Sequence, residues 1–373
     1  MAIPGTFQTY DLNVGIKLDV ENLIRLIDPF DVPLQGGYGA DDLTALSHDQ
    51  VFETKFQWLD ENLLTPKTTA AATALPTDTV LYLATGTGIN FQTGDLIQFD
   101  GEQAQITGYG TTADTVIVTR GFNSTTPVTV ATGDTVIGIG SVLAEGSNPP
   151  SARAKDRNNR QNYTQIFGPV AVQVSGTEQV VQKYGLTGTE FDHQLALRVK
   201  ELNIQVEQAL INGIPSAGSG TVGRTMGGIN YWITTNVDST STSFSDSVLL
   251  TQLAACFNAG GRPDRLVVGT KAKYGLSGIN SSEIRYQQQT DRRGQKVDFY
   301  VSDFGVTSIV LNRWCLPNQA FLFSRDQATI SVLRPTQFEM LAKTGDSMQG
   351  QVVAEKSMKF RVQSHAAKFT ALT

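Results

Sequence analysis

Between positions 52 and 60 the chain alternates. Phe52, Phe56 and Trp58 fall on one side and Glu53, Lys55 and Gln57 on the other, the period of a strand with one face buried. A second alternating run covers 163–174, and the two read as legs of one long hairpin. The stretch between them, 77–141, is rich in Thr, Val, Ile and Gly. Short strands are predicted there at 80–84, 96–99, 104–107, 116–119 and 135–139, separated by turn residues. Thr93-Gly94-Asp95-Leu96-Ile97 echoes Thr132-Gly133-Asp134-Thr135-Val136, each a Gly-Asp turn leading into a strand. The segment reads as a small all-β insertion, a barrel or a sandwich.

The period then changes to that of a helix. Thr189 can cap it with Asp192 at the third position, and Phe191, Leu195, Val199, Leu202, Val206 and Leu210 recur at spacings of four and three until Gly213 and Pro215 end it. A helix over 189–213 is a rod of roughly 35 Å, and burying its apolar stripe contributes about 10 kcal/mol gross. It must lie against a sheet or another helix. Beyond it the pattern is mixed. Helices are expected at 246–259 and from Thr270, and strands at 265–269, 299–304, 308–313 and 320–324. The last third alternates strongly, predicting strands at 328–333, 337–341, 350–355 and 360–372, with Thr344-Gly345-Asp346 as a turn. At the other end, residues 1–50 are irregular except for an amphipathic piece at 19–28, which stops at Pro29. Its apolar residues Leu23, Ile24 and Ile27 need a core, and either the parent body or a neighbouring copy supplies one.

Composition adds constraints. Only 17% of the 373 residues are charged, and the formal net charge is −6. A surface so poor in charge suits a protein largely covered by copies of itself, and the acidic balance argues against a dedicated nucleic-acid binder. Cys256 and Cys315 are too few for a disulfide framework and sit in apolar settings, where reduced core thiols are expected in a reducing cytoplasm. No run of about 18 apolar residues predicts a membrane span. The basic stretch Arg153, Lys155, Arg157 and Arg160 reads either as a solvated linker or as a contact strip facing carboxylates of an adjacent copy.

The chain offers little chemistry. Gly218-Ser219-Gly220-Thr221-Val222-Gly223 has dinucleotide spacing but follows a helix end and Pro215 instead of a strand, so it reads as a loop. His48, His193 and His365 have no partner at metal-ligand spacing, and the carboxylate pairs Asp41-Asp42 and Asp60-Glu61 are sequence neighbours with no pocket to separate their proton affinities. No catalytic, cofactor or metal site is predicted.

The order of arm, hairpin, long helix, α/β region and returning sheet resembles the Hong Kong 97-like fold of tailed-bacteriophage major capsid proteins. Lys55-Phe56-Gln57-Trp58-Leu59-Asp60, Asn162-Tyr163-Thr164-Gln165-Ile166-Phe167 and Leu341-Ala342-Lys343-Thr344-Gly345-Asp346-Ser347 look like the branch with an interrupted extended loop. The resemblance implies an α+β fold. It comprises an amino-terminal arm (1–50), extended-loop strands (51–76 and 142–175) interrupted by the all-β insertion (77–141), a peripheral domain (176–217) with spine helix 189–213, an axial domain (218–327) and a terminal peripheral sheet (328–373). It further implies a non-enzymatic subunit that self-assembles into hexamers and pentamers of a closed icosahedral shell around double-stranded DNA contacted non-specifically. Cement or decoration protein, scaffold and portal are further candidate partners; a membrane is not. Assembly contacts are expected at Leu23, Ile24, Ile27, Phe56, Trp58, Arg153, Lys155, Arg157 and Arg160. The competing readings are a tail-tube or fibre subunit and a carbohydrate-binding protein built around the β module.

Overall fold

The structure is a computed structural model and describes residues 30–36, 45–61, 63–148, 152–154, 157–183, 188–242, 244–277, 289–290 and 296–372. The chain divides into two compact units, one of residues 1–58 and 160–373, the other of residues 59–159.

In the first unit the long helix is Glu190–Asn212. Its cap is reciprocal: Thr189 Oγ1 accepts from the Asp192 N–H at 3.2 Å and donates to the Asp192 carboxylate at 2.6 Å. Glu190 and Asp192 also place negative charge where the helix dipole favours it. Phe191, Leu202, Val206 and Leu210 are buried and Leu195 and Val199 half-buried, so the apolar stripe faces a core.

That core lies between the helix and two sheets. The four-stranded sheet runs, in spatial order, Ser47–Gln50, Ala328–Met340, Ser347–Phe360 and Gln165–Ser175. The first strand is parallel to its neighbour and the others pair antiparallel. Two strands expected at 328–333 and 337–341 are one, with register shifts around Arg334 and Gln337 that accommodate Pro335. The strand expected at 360–372 is the short Ala367–Phe369, and 347–360 is continuous.

The other sheet has seven strands: Asn236–Asp238, Ala367–Phe369, Ala320–Phe323, Arg265–Val268, Gly305–Leu311, Lys296–Ser302 and Gln289–Thr290. Its central strands are buried on both faces, which is why Leu266-Val267-Val268 and Ala320-Phe321-Leu322-Phe323 read as unbroken apolar runs. Val267, Phe321 and Phe323 join the long-helix core. Leu266, Val268, Ala320 and Leu322 face a second core covered by helices Asp246–Asn258 and Thr270–Ser277.

The second unit is a closed barrel. Its strands, in spatial order, are Lys67–Thr69, Thr135–Ser141, Asp95–Phe99, Glu102–Tyr109, Thr115–Thr119 and Val80–Tyr82. The Ala70–Leu83 bridge closes the ring, with Ala71 N–H donating to Tyr82 O at 2.8 Å and Ala84 N–H to Thr69 O at 2.9 Å. Phe91, Ile97, Phe99, Ile106, Val116 and Val136 fill it. The first strand begins ten residues before the expected 77, because Lys67-Thr68-Thr69 carries no apolar alternation. The Gly-Asp echo is a repeated turn. Gly94 and Gly133 have φ of +92° and +94°, and Asp95 and Asp134 each accept the N–H three residues back, at 2.8 and 2.6 Å. Glu102 and Arg120 form an enclosed bidentate ion pair, with nitrogen–oxygen distances of 2.7 and 2.6 Å.

The expected hairpin pairs differently. Lys55–Asp60 pairs with Asn158–Tyr163, whereas Gln165–Ser175 joins Ser347–Phe360. The true partner, Asn-Asn-Arg-Gln-Asn-Tyr, is nearly all polar and carries no strand period.

Candidate assembly surfaces

Three structural features bear on assembly: how the amino-terminal segment is held, how the extended strands are fixed, and which apolar groups remain exposed. Residues 30–36 lie on the chain's own body, with Val32 and Leu34 fully buried. Leu34 N–H donates to Glu207 on the long helix at 2.9 Å, and Gln35 Nε2 donates to Asn203 O at 2.7 Å. Trp314 Nε1 donates to Asp31 O at 2.7 Å, and Asn312 Nδ2 to Glu207 at 2.8 Å. The part of the arm that the structure describes is therefore received by the parent chain. Within the 1–50 range, Ser47–Gln50 is a sheet strand that its polar sequence, Ser-His-Asp-Gln, concealed.

Asn162 fixes the start of the next strand with four hydrogen bonds. Its Nδ2 donates to Met358 O at 2.7 Å and Gly227 O at 3.2 Å, and its Oδ1 accepts from Gly227 N–H at 2.8 Å and Tyr163 N–H at 2.9 Å. The same Asn-Tyr-Thr-Gln-Ile-Phe stretch continues the anchoring. Thr164 Oγ1 donates to Glu355 at 2.7 Å, Gln165 Oε1 accepts from Met226 N–H at 3.2 Å and Phe167 enters the core. Glu355 also accepts from Arg224 at 3.0 Å and Arg334 at 3.1 Å. Residues 216–225, which contain the Gly218–Gly223 spacing, form a small loop closed by a Ser216–Thr225 bridge and open no helix.

The expected contact residues divide. Leu23, Ile24, Ile27 and Lys155 lie outside the described residues. Phe56 and Trp58 are corrected: they are only 8% and 9% exposed and sit in the chain's own core, with Trp58 edge-on to Trp232 at 5.2 Å. Their side chains are enclosed by the subunit itself and are not surface anchors. The neighbours that face solvent are Phe52, Leu59 and Leu63, at 83%, 60% and 86% exposure. Phe52 precedes the strand, which begins at Lys55, so the period-two reading placed it on the wrong side. Arg153 donates to Asn90 O at 2.5 Å within the barrel unit. Arg157 meets Glu61 at 3.4 Å, both largely exposed, a geometry worth little by itself. Arg160 is half-buried.

Burial pushes the Cys256 and Cys315 thiols up to about 11 and about 12, so both are inert core thiols. Burial, then the nearby Lys356, holds His48 below its usual value. Among the described residues no cluster of metal-ligating side chains occurs, and no helix is long and apolar enough to cross a membrane. Sequence reading missed Glu207, Asn162 and Glu355. Glu207 had a signal: it falls three and four residues before Leu210 and Ile211, on the apolar stripe.

A long helix packed on a sheet hairpin, a doubly covered mixed sheet and a barrel inserted between two extended strands make up the Hong Kong 97-like fold. Solved structures agree in fold. One from Mycobacterium phage Cain is 10% identical over 99% of this chain and 98% of its own, with a TM-score of 0.52. One from Mycobacterium phage Bobi is 11% identical over 98% of this chain and 99% of its own, with a TM-score of 0.51. No curated protein matches the chain. The model of the SU10 major capsid protein family matches residues 4–373, and the chain belongs to that family. It is a structural subunit of a phage head that associates with itself into a shell, which sets aside the tail-tube, fibre and carbohydrate-binding readings.

Proposed function

We propose that this subunit closes into pentamers and hexamers of an icosahedral head around double-stranded DNA in the host cytoplasm, as a purely structural, non-catalytic component. In this reading residues 218–327 act as the axial domain at the ring centres, and 176–217 with 328–373 act as the peripheral domain. The strands at 51–76 and 142–175 are the extended loop that carries the barrel, and the first part of residues 1–50 reaches a neighbouring copy. The contacts are heterologous and ring-closing, so each copy is held by several moderate interfaces at once.

The observation that carries the reading is a set of exposed large apolar side chains that includes Phe52, Leu59 and Leu63. These three are exposed, as are other large apolar side chains such as Val180 and Ile214, and another copy would cover them. Arg153, Lys155, Arg157 and Arg160, with Leu23, Ile24 and Ile27, are further proposed contacts. A decoration protein, a scaffold and a portal complete the proposed partners, and with a net charge of −6 the subunit would meet DNA only non-specifically. Negative-stain microscopy of the concentrated, purified protein tests the proposal. Rings and closed shells are expected; open tubes, or monomers at every concentration, would overturn it.

A further inference from the structure

Phe52 and Glu53 cross the four-stranded sheet between two backbone hydrogen bonds. Val51 N–H donates to Val332 O at 3.0 Å, in the strand Ala328–Met340, and Thr54 O accepts at 2.9 Å from the N–H of Thr164, the residue before the strand Gln165–Ser175. Ser347–Phe360 runs between those two strands and carries the buried Glu355 at this level. Two arginines share that one carboxylate, Arg224 at 3.0 Å and Arg334 at 3.1 Å, and Arg224 Nε also donates to Thr164 O at 3.4 Å. Both guanidinium groups are partly exposed, at 32% and 44%. Nη1 of Arg224 and both Nη atoms of Arg334 meet no acceptor among the described residues. Glu53 is exposed and has no hydrogen bond or ion pair among the described residues either. Surplus cationic donors and a free acid thus occupy one surface without neutralising each other.

The same surface carries an apolar side chain and a place for one. Phe52 is exposed, and a hollow of about 240 Å³ is lined by the exposed Ile166 and Val222 with Ala217, Ser219, Gly223 and Arg224. A cavity of roughly 150 Å³ holds a benzene ring, so a phenyl side chain fits.

We propose that this surface is a two-fold contact between copies: Phe52 of one enters the hollow beside Ile166 and Val222 of the other, Glu53 meets the free nitrogens of Arg224 and Arg334, and the same pairs form in reverse. The contact rests on the proposed closure into rings and a shell. Heterologous contacts that close a ring have no free end with which to reach another ring. Joining two rings across a two-fold axis needs a patch that holds both halves of the contact, and this one holds an acid with arginine donors and a phenyl ring with a hollow. Within one copy each charge lacks its opposite; a second copy turned by half a turn supplies it to both, as charge-assisted hydrogen bonds.

Two measurements on the concentrated full-length protein test the contact. Glu53→Lys replaces an exposed side chain without a partner, so the subunit should fold, while like charges now face each other across the axis. In sedimentation, shells should fall at least about ten-fold and free rings accumulate. In Phe52→Cys/Val222→Cys, both new thiols are exposed and the native Cys256 and Cys315 are buried. A short bismaleimide should then link shell subunits into dimers and nothing longer, because both links join the same two copies. Wild-type shell yield from Glu53→Lys overturns the proposal. Cross-linked ladders beyond the dimer assign the surface to a ring-closing contact and overturn it too, as do shells in which no link forms. A wild-type protein that forms neither rings nor shells would instead overturn the proposed function, and this contact with it.

Discussion

Replacing Arg120 with Met should destabilise the barrel by about 3–5 kcal/mol, the cost of leaving one charge of a buried pair without its partner. The guanidinium is 6% exposed and the Glu102 carboxylate 0%. Arg120 donates twice to Glu102, at 2.7 and 2.6 Å, once to Leu75 O at 2.9 Å and by a short bond to Val128 O; it also lies over the Phe99 ring at 5.1 Å. Losing the ring contact adds about 0.5–1 kcal/mol, so the dominant cost is the stranded carboxylate. Among the described residues, the Gly121 and Val128 N–H groups, at 3.0 and 2.7 Å, would remain to it. The assay is hydrogen exchange of the amides in Glu102–Tyr109 and Thr115–Thr119, where 4 kcal/mol appears as roughly three orders of magnitude in opening. The double variant Glu102→Gln/Arg120→Met should recover more than half of the loss, because the buried charge is gone. The pH dependence has a definite sign. Burial pushes Glu102 up, but Arg120 and the two N–H donors pull it further down, below its usual value. Its stabilisation is therefore present above pH 4.5 and lost as pH falls through the lowered value, so the deficit of Arg120→Met should shrink in acid. A single-variant cost under 1 kcal/mol, or no recovery in the double variant, would refute the reasoning.

Three other outcomes are expected. Leu202→Asp, at a fully buried position on the long helix, should cost at least about 4 kcal/mol and prevent soluble expression; a folded variant by circular dichroism would show that this face is not packed. Trp58→Ala should lower monomer stability by about 3–5 kcal/mol in urea unfolding, since the ring belongs to the subunit core; an unchanged midpoint with failed assembly would restore it as an interface residue. Phe52→Ser with Leu63→Ser should change stability by no more than about 0.5 kcal/mol each while reducing shell yield in sedimentation; normal shells would remove these side chains from the proposed interface.

The parts of the fold legible in sequence were those that bury one face of a regular element. The long helix was readable to its caps, because Thr189, the apolar stripe and Gly213 all point to the same boundaries. Strands such as Ser47–Gln50 and Asn158–Tyr163 were not: their pairing depends on what the rest of the chain brings alongside, and their side chains carry no alternation. Phe56 and Trp58 present a related ambiguity. Alternation showed that Phe56 and Trp58 are buried, but it cannot tell a core within the chain from a core shared between copies. Glu207 and Asn162 had a different obstacle, since the groups that satisfy them come from residues far away in sequence, such as Leu34 at one end and Gly227 or Met358 at the other.

The Ala70–Leu83 bridge has a consequence for crowding. An open sheet of the same length would present rows of unpaired amides and carbonyls, able to recruit the matching row of any adjacent molecule. By joining its first and last members, the inserted module leaves no such row to propagate. Many copies can therefore be concentrated on one lattice while backbone-mediated aggregation between their modules is suppressed, and side chains alone decide which encounters persist.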